Sequence, residues 1–294
     1  MIITVASGKG GTGKTTIAVN LALSLLGASD DPTVRGRKLI FADCDVEEPN
    51  AALFLNPLLR ESQEVAFQIP EVDEETCTYC GRCAQVCEFH AIAVVGQRVI
   101  VFKELCHGCG SCTLECPVGA IHEVPYVIGK IERGRVGSMT FFQGTMNIGV
   151  ATATPIVRQV KHWALDDVQG DFIAILDAPP GTSCPVVESL KNSDFALMVT
   201  EPTPFGLHDL KLAVQVARKE LGMPVGVIIN RDGIGDAGVE EFCAQEGVPI
   251  LMRIPLDRRI AEAYSRGEPL ISALPEYRER FLELYHRIQG EIDR

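Results

Sequence analysis

Apolar residues in this chain fall mostly into short continuous runs bounded by glycine, proline or charged residues, not into strict alternation. Ile2 to Ala6, Leu39 to Ala42, Phe172 to Leu176, Phe195 to Val199, Val225 to Ile229 and Ile250 to Ile254 are such runs, of a length that suits strands buried on both faces. Between them, apolar residues recur at helical spacing over Thr16 to Leu26, Pro155 to Ala164, Gly206 to Leu221, Ala237 to Glu246 and Asp257 to Arg266. Strand alternating with helix predicts an α/β fold, a doubly wound and mostly parallel sheet with helices on both faces.

The first strand run leads into Gly8-Lys9-Gly10-Gly11-Thr12-Gly13-Lys14-Thr15 and then into the first helix, the setting in which G-x4-G-K-[ST] forms a phosphate loop. Glycines let backbone N–H groups approach the phosphates of ATP, Lys14 reaches the β and γ phosphates, and the Thr15 hydroxyl ligates Mg2+. Thr16 adds a secondary phosphate contact at best. Asp43-Cys44-Asp45 follows the run Leu39 to Ala42, and carboxylates at the C-terminal end of a parallel strand are placed to meet Mg2+ or water; capping the next helix is the alternative.

From about Leu58 to Val127 the alternation stops and an internal repeat replaces it: Cys77-Thr-Tyr-Cys80-Gly-Arg-Cys83-Ala-Gln-Val-Cys87 and Cys106-His-Gly-Cys109-Gly-Ser-Cys112-Thr-Leu-Glu-Cys116, each followed by Ala-Ile. In C-x2-C-x2-C-x3-C, three thiolates hold one [4Fe-4S] cluster and the fourth crosses to the other. Cys77, Cys80, Cys83 and Cys116 are therefore expected at the first cluster, and Cys106, Cys109, Cys112 and Cys87 at the second. Structural zinc is the alternative, but this spacing is tighter than that of paired zinc ribbons. Glu88 stands where a proline often follows the fourth cysteine, and His90 and His107 read as neighbours of the clusters or surface residues, not ligands. The expected organisation is an ATPase domain over 1–57 and 128–294, interrupted over 58–127 by a ferredoxin-like α+β domain.

The phosphate loop, with its additional Lys9, resembles the deviant loop of the MinD, ParA, Mrp and nitrogenase iron protein superfamily. The likeness extends through Asp43-Cys44-Asp45, Asp177-Ala-Pro-Pro-Gly181, Glu201 to Asp209, Val227-Ile-Ile-Asn230-Arg231 and Ile254-Pro255-Leu256-Asp257, essentially all of the chain outside the cysteine segment. It implies an ATP-dependent homodimer in which Lys9 reaches the partner's nucleotide; neutralising phosphates in its own subunit is the alternative. It further implies that Asp45 positions the attacking water with Asp43 near the metal. Asp177 would bind Mg2+ through water, and the Gly181 N–H would sense the γ-phosphate. Asn230 and Arg231 would meet adenine, and Pro255 would lie in the loop that closes over the base. Read alone, Asn230 would cap a turn. Lys9, Lys14 and Asp45 are the expected catalytic residues. The iron protein carries a ligand cysteine in its segment comparable to Cys184, but no cysteine lies between Cys116 and Cys184 to complete a bridging cluster, so Cys184, Cys44 and Cys243 read as small buried hydrophobes.

Charge narrows the partners. A formal net charge of -12 over 294 residues argues against broad nucleic-acid binding, which needs Lys and Arg to neutralise phosphates. Ten acids against four bases between 58 and 127 concentrate half of that charge on the cysteine segment, either as a solvated surface or as a docking face for a basic redox partner. No apolar stretch approaches a membrane span, and Met1 leads directly into a strand run without a basic leader, so a cytoplasmic protein without a stable membrane anchor is expected. In Glu276 to Arg294 the stripe Tyr277, Phe281, Leu284 and Ile288 suits docking onto the domain better than a membrane surface. The expected function is an ATP-hydrolysing switch that gates electron transfer toward an unidentified redox or metalloprotein partner. Iron-sulfur or metal-centre assembly and MinD/ParA-like spatial organisation are the alternatives.

Overall fold

The computed structural model describes residues 1–166 and 168–294. In chain order the elements are β1 (Ile2–Ala6), α1 (Lys14–Leu26), β2 (Lys38–Asp43), α2 (Ala51–Leu55), β3 (Leu58–Val72), α3 (Arg82–Gln85), β4 (Ile92–Val94), β5 (Val99–Val101), α4 (Ser111–Leu114), β6 (Ile121–Val136) and β7 (Met139–Met146). There follow α5 (Thr154–Leu165), β8 (Phe172–Asp177), α6 (Cys184–Leu190), β9 (Phe195–Thr200), α7 (Pro204–Gln215), β10 (Val225–Asp232), α8 (Gly238–Glu246), β11 (Ile250–Pro255), α9 (Arg258–Ser265), α10 (Leu270–Ala273) and α11 (Tyr277–Ile292).

Nine strands form one sheet in the order β11-β10-β9-β1-β8-β2-β7-β6-β3. The seven strands from β11 to β7 are parallel. Their apolar runs are continuous because helices cover both faces: all six residues of β9 are buried. Odd positions of β1, Ile3 and Val5, pack under α1 and α11 in the largest core cluster, while Ala6 faces the opposite side with α6, α7 and α8. Tyr277, Phe281, Leu284 and Ile288 of α11 are all buried in that larger cluster, so the terminal helix is docked. From α11, Arg287 donates to the Leu251 carbonyl at 2.8 Å and Arg280 to the Arg253 carbonyl at 2.6 Å, covering edge strand β11. Among the described residues no helix is long and apolar enough to cross a membrane.

At the other edge the sheet changes character. β7 turns through Gly137, with φ +57°, into antiparallel β6, and β6 pairs along its length with antiparallel β3. Pairing with β7 ends where Met146 meets Gly129, and there β6 carries a register shift: Val65 opposes Gly129 but Ala66 opposes Val127. The extra residue, Ile128, is fully buried. Beyond it β3 and β6 continue alone as a two-stranded ribbon to Val72 and Ile121. The ribbon carries the cysteine segment, which holds the two short helices and the hairpin β4-β5.

The boundary expected at 127 therefore falls inside β6, whereas that at 58 coincides with the start of β3, whose first half is an edge of the central sheet. Strand β7 was absent from the expected set, because Met139–Met146 is interrupted by Gln143 and Gly144 and lacks a clean apolar run. Gly144 is required there. A Cβ would lie 2.7 Å from Val46 Cγ1 and 2.9 Å from both Ile156 and Val160.

Candidate functional site

Gly8 to Gly13 leave the buried end of β1 as a loop whose shape depends on missing side chains. A Cβ on Gly8 would stand 2.3 Å from the Asp209 carbonyl oxygen, and Gly13, with φ +95°, lies so near Asn230 that a Cβ would approach its Nδ2 to 2.5 Å. Ser7 Oγ donates to the Lys9 carbonyl at 2.6 Å, and Asn230 Nδ2 to the Thr12 carbonyl at 2.7 Å. No side chain caps α1, so its first-turn N–H groups are open to an anion. Nothing stands within 4 Å of a Cβ built on Gly10 or Gly11. Lys14 and Thr15 start the helix and are buried, with Lys14 Nζ 3.9 Å from Asp45 Oδ2. Thr16 is half-buried one position further along, its carbonyl accepting from Asn20 Nδ2.

Three carboxylates collect at the carboxyl ends of neighbouring strands β2 and β8, where Asp43 is in register with Asp177. Their roles differ. Asp43 Oδ1 accepts the Asp45 N–H at 3.1 Å, and Oδ2 accepts those of Asn50 and Ala51 at 3.1 and 3.0 Å, so this side chain fixes the turn and the start of α2. Burial, reinforced by the Asp177 charge, holds its pKa well above the carboxylate range. The capping alternative describes Asp43 better than a direct approach to the metal.

Asp177 is 1% exposed and neither oxygen has a hydrogen-bond partner. Burial raises its pKa to about 6 against the opposing charge of Lys14. Asp45 is also raised to about 6 by burial, again opposed by Lys14. A buried carboxylate with two free oxygens beside a lysine and a threonine hydroxyl is incomplete as it stands. A hard divalent cation with phosphate oxygens would complete it, so the donor set fits Mg2+ held by Thr15 and Asp177.

The surrounding residues are engaged with one another. Gly181, with φ +98°, donates its N–H to the Ser7 carbonyl at 3.0 Å. Asn230 Oδ1 accepts the N–H of Arg231, whose own φ is +54°. The Arg231 guanidinium bonds to Glu201 Oε1, and Glu201 Oε2 lies 3.4 Å from Lys9 Nζ. The segment from Glu201 to Asp209 entered the sequence likeness without a role for Glu201, although a carboxylate directly after the buried run of β9 was an available signal. Pro255 ends β11 in register with Asp232, and the next residue, Leu256, is exposed. Cys44 and Cys243 are buried, which pushes their thiols up to about 12 and about 11. Cys184 is exposed at the start of α6, against the expectation of a buried hydrophobe.

The other eight cysteines form two groups. Cys77, Cys80, Cys83 and Cys116 line one recess, and Cys87, Cys106, Cys109 and Cys112 line another. Each recess thus receives the last cysteine of the other run. The backbone repeats with the spacing: Tyr79 and Gly108 donate N–H groups to Cys77 and Cys106 Sγ at 3.4 Å, Ala91 and Ala120 to Cys87 and Cys116 Sγ at 3.3 Å. Positive φ recurs at Tyr79 and Gly108, Gly81 and Gly110, His90 and Gly119. Gly108 admits no side chain, since a Cβ would meet Phe67 at 2.7 Å. Among the described residues no three ligating side chains close on a single metal ion.

A family model described as the CobQ/CobB/MinD/ParA nucleotide binding domain matches residues 3–270. An uncharacterized protein of Methanocaldococcus jannaschii is 33% identical over 279 residues, covering 92% of this chain and 91% of that one. An iron-sulfur cluster carrier protein of the same organism is 25% identical over 308 residues, covering 99% and 84%. The cytosolic Fe-S cluster assembly factor nubp2 of Xenopus tropicalis is 24% identical, covering 93% and 86%. Among solved structures, the septum site-determining protein MinD of Pyrococcus horikoshii, complexed with Mg-ADP, matches with a TM-score of 0.58 at 20% identity over 98% of this chain and 95% of that one. The last likeness is one of fold, a MinD-like α/β domain with a large, mostly parallel sheet.

Proposed function

The chain belongs to the CobQ/CobB/MinD/ParA nucleotide-binding family, and we propose that it is an ATP-hydrolysing switch in iron-sulfur handling whose nucleotide site acts on a resident two-cluster module. One observation carries this reading. β3 runs parallel to β2, so the ribbon leaves the sheet at the same end as the phosphate loop, Asp45 and Asp177. Val46, next to Asp45, is fully buried in the cluster that holds Ile128, and its carbonyl accepts the Met146 N–H at 2.8 Å. Phe67 and Tyr126 continue that packing to Cys87 and Cys106. A shift of the Asp45 segment would therefore press on the ribbon where it leaves the sheet.

In this reading the loop N–H groups and Lys14 bind the phosphates, and Thr15 and Asp177 hold Mg2+, which supplies neutralising charge when bound. Asp45, ionised at neutral pH, orients the attacking water. The Gly181 N–H exchanges the Ser7 carbonyl for the γ-phosphate. Asn230, which ties β10 to Thr12, lies beside the loop for adenine with Arg231 and Pro255. The ATP-bound form is a homodimer. The names of the relatives support iron-sulfur assembly or delivery as the output.

A second reading, electron transfer gated by nucleotide state, is favoured by the eight thiols in two recesses with repeated N–H to sulfur contacts, which suit resident [4Fe-4S] clusters. Spread around a recess and not converging on a point, these thiols suit clusters better than zinc. Anaerobic purification with iron counting, an ATPase assay and a transfer assay to an apo-protein tests the whole. ATP-dependent loss of iron to the acceptor supports delivery. Retained clusters whose reduction potential or partner affinity changes with ATP support electron gating. Clusters indifferent to ATP, ADP and no nucleotide would sink both.

A further inference from the structure

At the end of the sheet opposite the phosphate loop lies a recess of about 500 Å3, lined by Arg35, Arg37, Lys38, Arg133, Arg135 and Trp163 with an apolar floor. Among the described residues no carboxylate lines it, although acids outnumber bases 39 to 27 in the chain. Arg133 is 3.6 Å from Glu61, and Arg37 donates to the Tyr285 hydroxyl at 3.5 Å. Arg35, Lys38 and Arg135 have no carboxylate within 4 Å among the described residues, and all three are exposed. Cations that lack a carboxylate partner among the described residues, gathered around one concavity, focus a positive potential that an acidic protein has no general reason to maintain.

We propose that this recess binds a small organic anion carrying two or more phosphates and a ring, at a site separate from the phosphate loop. Four of the five cations are arginine, whose planar fork matches phosphate oxygens in pairs. Trp163 supplies the flat apolar wall; Phe142 meets it edge-on at 5.6 Å and carries Arg133 over its ring at 5.6 Å. Lys38 and Asp43 begin and end β2, which at about 3.3 Å per residue separates the two sites by about 17 Å along the strand. Helix α5 links them: Trp163 lies near its C-terminus, while Ile156, near its N-terminus, packs in the same cluster as Val46.

Trp163 is the only tryptophan in the chain, so its fluorescence reports this recess directly. The wild-type protein, held with saturating ADP and Mg2+ at the phosphate loop, is titrated with inorganic tripolyphosphate. In parallel, the Lys14→Ala variant is titrated with ADP. Both are expected to give a saturable change that weakens with added salt. Replacing Arg35 and Arg135 together by alanine is expected to weaken both at least tenfold, with melting temperature and ATP turnover unchanged. No saturable change up to about 10 mM, about four decades weaker than a micromolar site, would overturn the proposal. So would an equal response in the double variant, or a response to a polyglutamate peptide alone, which would mark a docking face for acidic protein.

Discussion

Lys9 is held by Glu201 of its own chain, Nζ to Oε2 at 3.4 Å, while the other oxygen of Glu201 bonds Arg231. A lysine that is to reach a partner's nucleotide must first leave this contact. The pair is partly exposed, so its worth is about 1 kcal/mol, or roughly fivefold in an equilibrium. Both protomers of a homodimer break this contact, so Glu201→Gln should tighten the ATP-dependent dimer by up to roughly 25-fold in sedimentation equilibrium. Should dimerisation weaken instead, Glu201 organises the interface and does not compete with it.

The carboxylate pair gives a signed pH dependence. Asp45 and Asp177 are raised from 3.8 to about 6, so between those values the folded state holds more protons than the unfolded one and its stability falls as pH rises. At pH 7 the cost is fully present. Asp177→Asn should therefore raise the melting temperature of the nucleotide-free protein at pH 7 by a few degrees, corresponding to roughly 1–2 kcal/mol, with the advantage shrinking toward pH 4. The same variant should lose most of the added stabilisation by Mg2+ with ADP. A variant melting below wild type at pH 7 would contradict the buried-charge account.

Turnover should follow Asp45. Asp45→Asn is expected to cut ATP hydrolysis about 100-fold or more while retaining nucleotide binding, and wild-type turnover should fall as pH drops below about 6. A pH profile flat to 5 would remove Asp45 from the water-positioning role.

Cross-ligation makes a prediction about pairs of variants. Cys87→Ala should cost about half of the iron, and adding Cys106→Ala should cost little more, because both line one recess. Cys87→Ala with Cys77→Ala should strip both clusters, although the two cysteines belong to the same run. Iron counting on anaerobically prepared protein decides it. The reverse pattern would mean that each run holds its own cluster.

Gly144→Ala tests whether the sheet edge and the Asp45 segment move together. The added methyl meets Val46, Ile156 and Val160 at 2.7 to 2.9 Å, and overpacking of this kind costs about 1–3 kcal/mol. ATP turnover should fall with stability, since Val46 adjoins Asp45. Gly290→Ala, in open space on α11, should instead gain up to about 1 kcal/mol. Wild-type turnover in a folded Gly144→Ala protein would break the proposed link.

Much of this was legible because local chemistry dictates it. The loop Gly8 to Thr15 needs glycines wherever backbone must approach an anion, and buried parallel strands such as Phe195–Thr200 write themselves as apolar runs. The grouping of eight thiols follows from spacing alone. What depended on long-range packing was not legible. Strand β7 hides behind Gln143 and Gly144 because its burial is set by α5 lying close above it. The edge strand was hidden because the first seven positions of β3, Leu58 to Glu64, are all exposed and carry no buried stripe. Asp43 and Asp45 read alike as neighbours in sequence, yet only the fold turns one carboxylate onto the N–H groups before α2.

The bulge at Ile128 acquires a mechanical meaning from the length of chain beyond it. Seven residues of β3 separate Val65 from Val72, an arm of about 23 Å at 3.3 Å per residue. A tilt of about 10° at its root would carry the tip roughly 4 Å, by the same spacing. Asn147 spans that root, its N–H donating to the Ile128 carbonyl at 2.8 Å and its side-chain amide to Val127 at 3.2 Å. In the function proposed above, the ribbon acts as a lever whose root is set in the core around Val46 and Ile128, so that a small tilt at the root becomes a displacement of ångströms at the cysteine recesses.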